Sequence, residues 1–140
     1  MKIKVKKLDE RAVMPTKAHP SDAGFDLTSI AITEHNELFV EHDTGLAFEI
    51  PNNHVGLVFP RSSISKTNML LSNAVGVVDP EYRGSVKFRF RVRGVGQGDY
   101  KPGDRIGQLV IIPLPEIQLE EVKELSTTGR GTGGYGSTGK

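Results

Sequence analysis

The stretch VKFRFRV, residues 86–92, alternates apolar and basic residues throughout. Successive side chains of a strand point to opposite faces, so this period of two predicts a β-strand with its apolar residues in the core. Ile3 and Val5 alternate with lysines in the same way, and the run GQLVIIPL (107–114) is typical of a buried strand. A looser alternation in IQLEEVKEL (117–125) suggests one more strand.

Glycine and proline divide the chain into short pieces, with 16 Gly and 8 Pro in 140 residues. No long segment has apolar residues at helical spacing, and the best helix candidate is one or two turns within residues 61–70. Short strands separated by turn signals predict an all-β barrel or sandwich. The segment STTGRGTGGYGSTGK (126–140) has almost nothing apolar to bury, so we expect a flexible Gly-rich arm after a β domain of residues 1–125.

The overall composition excludes several classes of function. Eighteen basic and 17 acidic residues leave a net charge of +1, which gives no electrostatic case for nucleic acid or a membrane surface. The absence of cysteine excludes disulfides, thiolate metal sites and cysteine nucleophiles. No apolar run is long enough for a signal peptide or a membrane span, so we expect a cytoplasmic location.

The arm contains two glycine patterns that resemble phosphate-binding loops. Gly129, Gly131 and Gly134 match G-x-G-x-x-G, and Gly134, Gly139 and Lys140 match G-x-x-x-x-G-K. Both motifs need a strand before the loop and a helix after it, and this segment predicts neither. The remaining hypothesis is an arm that wraps a phosphate chain with backbone, hydroxyl and guanidinium donors; a disordered terminus is the simpler alternative.

Three further segments carry polar residues at the ends of predicted strands: SDAGFDL (21–27), PRSSISK (60–66) and GDRIGQLVI (103–111). Arg61 with two serines at a helix start suits an anion, although a serine N-cap is the common alternative. Gln108 lies among apolar neighbours, where a buried amide needs partners.

The segment NAVGVVDPEYRGSV (73–86) reads as two strand halves around a polar bend. Asp79 followed by Pro80 predicts a type I turn, which by itself needs no function. The four histidines, at positions 19, 35, 42 and 54, lack metal-ligand spacing and are expected at the surface. Four like charges on one strand face (Lys87, Arg89, Arg91 and Arg93) suggest acidic neighbours in this chain or in another subunit.

These segments are weak signals singly, but their order is specific. From residue 21 to residue 139 the chain resembles the trimeric dUTP pyrophosphatases (dUTPases), whose five motifs match SDAGFDL, PRSS, NAVGVVDPEYRG, GDRIGQLVI and RGTGGYGSTG. The resemblance implies a jelly-roll-like, distorted β-barrel subunit of the β-clip type. It also implies a homotrimer with active sites between subunits, each closed by the arm of a neighbouring subunit.

The implied reaction is Mg²⁺-assisted hydrolysis of dUTP to dUMP and diphosphate, which cleanses the nucleotide pool and supplies dUMP for thymidylate synthesis. Asp79 matches the general base that activates water for attack on the α-phosphorus. Mg²⁺ is carried by the triphosphate and water, without direct protein ligands. The resemblance assigns the base and sugar to Asn73, Gly76, Tyr82 and Tyr135, the phosphates to Arg61, Ser62, Ser63, Gln108, Arg130, Gly134, Ser137 and Thr138, and site organisation to Asp26 and Arg105.

Three positions depart from the family pattern: Ser63 and Gly107 replace a usual Gly and Ala, and Tyr135 replaces the usual Phe. Two other functions remain open. The related dCTP deaminases use a Glu where this chain has Arg89, which leaves deamination without an acid–base group. A catalytically silent nucleotide- or protein-binding module would have no need of Asp79.

Overall fold

The computed structural model describes residues 1–92 and 99–137. Every regular element in these ranges is a β-strand, apart from one 3₁₀ helix at Ser62–Lys66. The strands are β1 (Lys4–Lys7), β2 (Phe25–Thr28), β3 (Ala31–His35), β4 (Val40–Asp43), β5 (Leu46–Glu49), β6 (His54–Phe59), β7 (Met69–Leu71), β8 (Gly76–Val78), β9 (Lys87–Val92) and β10 (Arg105–Pro113). The predictions of an all-β fold and of one short helical turn within residues 61–70 are both confirmed.

The strands form a jelly-roll-like arrangement of antiparallel sheets. One four-stranded sheet has the order β2-β10-β6-β8, the other has the order β3-β4-β9-β7, and β1 pairs with β5. Side chains from these sheets form one core, which includes Leu27, Leu46, Phe48, Met69, Phe88, Phe90, Ile106 and Leu109. The long strand β10 pairs with both β2 and β6, so it joins segments that are distant in the sequence.

Strand β9 confirms the period of two. Phe88 and Phe90 are fully buried and stacked with ring centroids 5.9 Å apart, whereas Lys87, Arg89 and Arg91 are exposed. Arg93 lies outside the described residues. The strand is amphipathic, as the sequence predicted.

The strand suggested for residues 117–125 does not form. This segment contains neither strand nor helix, and its apolar side chains are open to solvent: Leu119 is 97% exposed. Two features explain the difference. Pro113 and Pro115 end the preceding strand, and the alternation of Ile117 and Leu119 is broken by Glu120-Glu121.

His42 corrects the expectation that all the histidines lie at the surface. It is completely buried on β4, where its Nδ1 lies 2.9 Å from the Ser29 hydroxyl. Its ring meets those of Phe90 and Tyr100 edge to face, with centroids 5.8 and 6.5 Å away. The spacing of possible metal ligands carries no information on burial, so this inward-facing position could not be predicted from it.

Burial of His42 predicts a loss of stability in mild acid. Burial lowers the pKa of His42 from its usual value of 6.5, so the unfolded chain binds this proton more readily than the folded chain. The free energy of unfolding should therefore fall as the pH drops below 6.5, by up to about 1.4 kcal/mol per pH unit. Urea unfolding at about pH 7 and about pH 5.5 measures this slope.

His42→Gln should flatten the slope, whereas the matched change His35→Gln, at an exposed position, should leave it unchanged. Glu41 does not interfere in this window. Its pKa is held at about 2, so its stabilising effect is lost only as the pH falls below the ordinary value of 4.5. An unaltered slope in His42→Gln would assign the acid sensitivity to another group.

The described part of the arm, residues 126–137, contains turns and is almost entirely exposed. Backbone hydrogen bonds close these turns, from Gly131 to Thr128 at 3.1 Å and from Gly133 to Arg130 at 3.0 Å. Over residues 1–92 and 99–137, no helix has the length and apolar character needed to cross a bilayer.

Candidate active site

The bend between β8 and β9 presents Asp79 to solvent. The Tyr82 N–H donates to the Asp79 carbonyl oxygen at 3.1 Å, which closes the turn predicted from Asp79-Pro80. The Arg83 guanidinium donates to the carbonyl oxygens of Pro80 and Tyr82 and braces the turn from outside. Within the described ranges, the Asp79 carboxylate is exposed and has no hydrogen bond or ion pair. It is therefore available to accept a proton.

Tyr82 is fixed across the same bend. Its hydroxyl donates to the Ser85 carbonyl oxygen at 3.0 Å. A Cβ added at Gly84 would lie 2.5 Å from the Tyr82 hydroxyl oxygen, so only glycine leaves room for the ring. The tyrosine presents a preformed aromatic face.

Asn73 and Gly76 line the same cleft as Tyr82. The chain turns at Ala74, which has a φ of 59°, and Gly76 approaches so closely that a Cβ there would lie 2.4 Å from a methyl group of Val58. The resulting space, the hairpin cleft, has a volume of about 450 Å³, within the range of small-molecule sites. Its lining includes Asn73, Gly76, Val77, Val78, Tyr82, Ser85, Val86, Lys87, Arg89 and Glu41.

A second space, the polar cleft, lies where β2, β10 and the 3₁₀ helix meet. Asp26 binds two arginines here, with Arg61 Nε and Arg105 Nη1 each 2.9 Å from one of its carboxylate oxygens. Arg61 also donates weakly to the Ser63 hydroxyl at 3.4 Å. The cleft measures about 290 Å³ and is lined by Ala18, Asp22, Ala23, Gly24, Asp26, Arg61, Ser62 and Gln108.

The serines are not helix caps. The residue before the 3₁₀ helix is Arg61, and no side chain caps the helix. Ser62 is exposed at the polar cleft, and its hydroxyl makes no hydrogen bond with the described residues. The alternative of a serine N-cap is therefore wrong, and the hydroxyl is available to a ligand.

Gln108 is half-buried, and its amide has one hydrogen-bond partner among the described residues. Its Nε2 donates to the Pro60 carbonyl oxygen at 3.2 Å, and a Cβ at Gly24 would lie only 2.3 Å from its Oε1. Pairing of β10 with β6 and β2 places Gln108 opposite both Phe59 and Asp26. The tertiary fold thus brings three of the sequence segments into one cleft.

Gly107, one of the departures from the family pattern, has a packing explanation. A Cβ at this position would lie 2.1 Å from the buried ring of Phe88 and 2.9 Å from the Phe59 carbonyl oxygen. The phenylalanine occupies the space that an alanine side chain would need.

We expect Gly107→Ala to lower the free energy of unfolding by about 1–3 kcal/mol, because the core would be overpacked. Urea unfolding of Gly107→Ala, Phe88→Leu and the double variant tests this. The double variant should recover part of the loss, since leucine leaves room at the ring position. Strict additivity of the two changes would contradict the assigned contact.

The arm contacts neither cleft in the single chain. Arg130 Nε donates to the Gly133 carbonyl oxygen at 2.9 Å, and Gly134 accepts from the Ser137 N–H at 3.1 Å. Tyr135 is fully exposed. None of residues 126–137 lines the hairpin cleft or the polar cleft, and Thr138 lies outside the described residues.

The sequence did not indicate that charged residues of the hairpin cleft belong to a site. Glu41 is only 6% exposed, and its carboxylate accepts from Lys87 Nζ at 2.8 Å and from Arg89 Nε at 2.7 Å. The expectation that the basic face of β9 meets acidic residues is thus confirmed for Lys87 and Arg89. Strand register decides this contact, because β4 places Glu41 directly opposite Arg89.

The all-β fold thus presents two clefts of small-molecule size, one beside an aromatic ring and the other lined by arginine, hydroxyl and amide donors that suit an anionic ligand. The family model for dUTPase matches residues 10–139. A deoxyuridine 5'-triphosphate nucleotidohydrolase from Nautilia profundicola is 40% identical over 143 residues, which cover 100% of both chains. A relative of the same name from Clostridium acetobutylicum is 38% identical, over 98% of this chain and 96% of its own. This chain belongs to the dUTPase family.

A solved structure agrees with this assignment. A mutant dUTPase of Staphylococcus bacteriophage 80alpha, determined with dUpNHpp, superposes with a TM-score of 0.84 at 26% identity and covers 99% of both chains.

Proposed function

We propose that this chain hydrolyses dUTP to dUMP and diphosphate. The observation that carries the proposal is the hairpin cleft, with the fixed ring of Tyr82 on one wall, together with the exposed Asp79 carboxylate on the same bend, which has no hydrogen-bond partner among the described residues. Family membership, with relatives that carry the name of this activity, supports the same substrate.

Asp79 is the proposed general base. It takes a proton from water as that water attacks the α-phosphorus, and diphosphate leaves with the electrons of the broken P–O bond. Its exposed position and lack of a partner among the described residues support this role. Hydrogen bonds from Tyr82 and Arg83 hold the turn in place. The Asp79 carboxylate therefore needs little reorganisation before it takes the proton.

The polar cleft is the proposed phosphate site. Arg61, Ser62, Ser63 and Gln108 supply donors that hold the charge developing on the phosphates. Asp26 has an organising role, because its two oxygens are already bound to Arg61 and Arg105. Arg130, Gly134, Ser137 and Thr138 are proposed to bind the outer phosphates from the arm.

Mg²⁺ is proposed to arrive with the triphosphate, whose oxygens and water would coordinate it and whose charge it would neutralise. The described residues contain no group of three metal-ligating side chains, and Asp26 is occupied by its arginines. The donors present fit a metal held by the substrate.

The hairpin cleft is the proposed selector for base and sugar. Exposed backbone at the edge strand β8 would pair with uracil, aided by Asn73, and would reject a mismatched base edge by about 10⁴–10⁵. A base held closely against the hairpin would leave no room for the methyl group of thymine. Tyr82 would lie against the deoxyribose and exclude a 2′-hydroxyl, and Tyr135 of the arm would stack on the base.

A homotrimer is proposed because the site is incomplete in one chain. The two clefts share no lining residue, and the described arm reaches neither. Residues 1–125 would form the barrel, and residues 126–140 would close the site of a neighbouring subunit. Light scattering should give about three times the chain mass of 15.3 kDa. A cytoplasmic location stays a prediction.

The test is incubation of the protein with Mg²⁺ and, separately, dUTP, dCTP, dTTP and UTP, followed by analysis of the products. We expect diphosphate and dUMP from dUTP alone. Conversion of dCTP to dUTP would indicate a deaminase instead, and binding without turnover would indicate a silent module.

A further inference from the structure

The wall of the hairpin cleft carries a cluster of charges that the proposed catalysis does not use. Glu41 is the centre of this cluster. Its carboxylate accepts from Lys87 at 2.8 Å, from Arg89 at 2.7 Å and from the Thr33 hydroxyl at 2.7 Å. A buried carboxylate is costly unless it is paired with a cation. Glu41 is therefore stable here because Lys87 and Arg89 neutralise it, and the basic face of β9 is not simply solvated. The cluster holds its cations in fixed places.

Glu41 stays charged in spite of its burial. Burial acts to raise the pKa of Glu41, but hydrogen bonds from Lys87, Thr33 and Arg89 outweigh this effect and hold the value at about 2. The hydrogen bond to Glu41 also raises the pKa of Lys87 above its usual value. The ammonium group is therefore protonated wherever the enzyme would work.

Lys87 is the member of the cluster that has donors to spare. The Arg89 guanidinium is bound to Glu41, approaches Glu34 at 3.7 Å and lies 4.4 Å over the Phe39 ring. Lys87 has Glu41 as its one hydrogen-bond partner within the described parts of the chain. An ammonium group has three donors and no acceptor, so two N–H groups remain at the cleft wall.

A donor-only group discriminates between pyrimidines. Uracil has a carbonyl at position 4, which can accept a hydrogen bond, whereas cytosine has an amino group there. A fixed ammonium group would pair with the carbonyl and would leave the amino group facing another donor. Backbone pairing at β8 and Lys87 would then select the same base.

We propose that Lys87, held in place by Glu41, is a specificity-determining residue of the hairpin cleft that favours a 4-carbonyl pyrimidine over a 4-amino pyrimidine. This inference rests on the proposed dUTP hydrolysis. Lys87 would act in binding of the base, and Glu41 would be a positioning residue that acts through Lys87.

The test compares Lys87→Met with Arg91→Met. Arg91 lies on the same exposed face of β9 but lines a different groove, with Leu38 and Leu70, so its variant is a matched control for lost charge. For each enzyme, KM and kcat are measured with dUTP, and dCTP is titrated as an inhibitor of dUTP hydrolysis. Melting temperatures establish that the variants are folded.

In Lys87→Met we expect KM for dUTP to rise about tenfold, from the loss of one charged hydrogen bond, with kcat within about twofold. The inhibition constant of dCTP should stay equal or fall. Lys87→Gln is the second variant, because its amide has an acceptor as well as donors and should lower the dCTP constant further. Glu41→Gln should raise KM for dUTP in the same direction, and Arg91→Met should match the wild type.

An unchanged KM in folded Lys87→Met would overturn the assignment of Lys87. An equal rise of KM for dUTP and of the dCTP constant would also overturn it, because this would mark general damage to the cleft. In either case wild-type hydrolysis of dUTP would leave the proposed function intact. A wild-type protein that leaves dUTP unchanged would overturn both.

Discussion

Asp79→Asn should lower kcat for dUTP by about 10²–10⁴-fold and leave binding of the nucleotide nearly unchanged. The amide has almost the shape of the carboxylate but cannot take the proton from water, and positioned proton transfer typically contributes a factor of this size. Rapid-mix measurement of product formation gives the rate, and titration with a non-hydrolysable dUTP analogue gives the dissociation constant.

Glu81→Gln is the matched control, since it removes an exposed carboxylate from the same turn, two residues away. It should keep kcat within about twofold, since most surface substitutions have small effects. A loss shared equally by the two variants would show that the net charge of the bend matters, and would contradict Asp79 as the specific base.

Removal of the arm after Ser126 should lower kcat/KM for dUTP by at least about 10²-fold. The truncation deletes the Arg130 guanidinium, and loss of one charged hydrogen bond lowers kcat/KM by a factor of about ten or more. It also deletes the ring of Tyr135, which would stack on the base. The barrel should remain folded, because none of residues 126–137, the described part of the arm, belongs to the core cluster. Steady-state kinetics and a melting curve measure the two effects.

Mixed trimers test whether the arm works between subunits. An arm-truncated chain and an Asp79→Asn chain, each inactive alone, should recover part of the activity when they are unfolded and refolded together. In such a trimer, the intact Asp79 of one chain can meet the intact arm of another. No recovery, with mixing verified by mass, would show that each arm closes the site of its own chain.

The sequence predicted the fold class because its decisive strand shows its pattern locally. Residues 86–92 alternate without a break, and both phenylalanines of this strand lie in the core. In residues 117–125 the alternation breaks, and no partner strand is found for this segment among the described residues. Periodicity indicates that a segment can form a strand, whereas pairing depends on what the rest of the chain supplies.

The sequence predicted which segments form the candidate site, but it predicted few of the contacts between their side chains. Motif order brought out Asp26, Arg61 and Gln108, which the fold brings to one cleft through the pairing of β10 with β2 and β6. Glu41 and His42 have no comparable signal. Their burial depends on the register between β4 and β9, which places Glu41 opposite Arg89 and His42 opposite Phe88, residues far apart in the sequence.

The most direct measurement is hydrolysis of dUTP with Mg²⁺ in water enriched in oxygen-18, followed by mass analysis of both products. Attack of an activated water on the α-phosphorus predicts equal amounts of dUMP and diphosphate, with the heavy oxygen in dUMP. Label in diphosphate would place the attack on the β-phosphorus and contradict the role given to Asp79. Unchanged dUTP would contradict the proposed function itself.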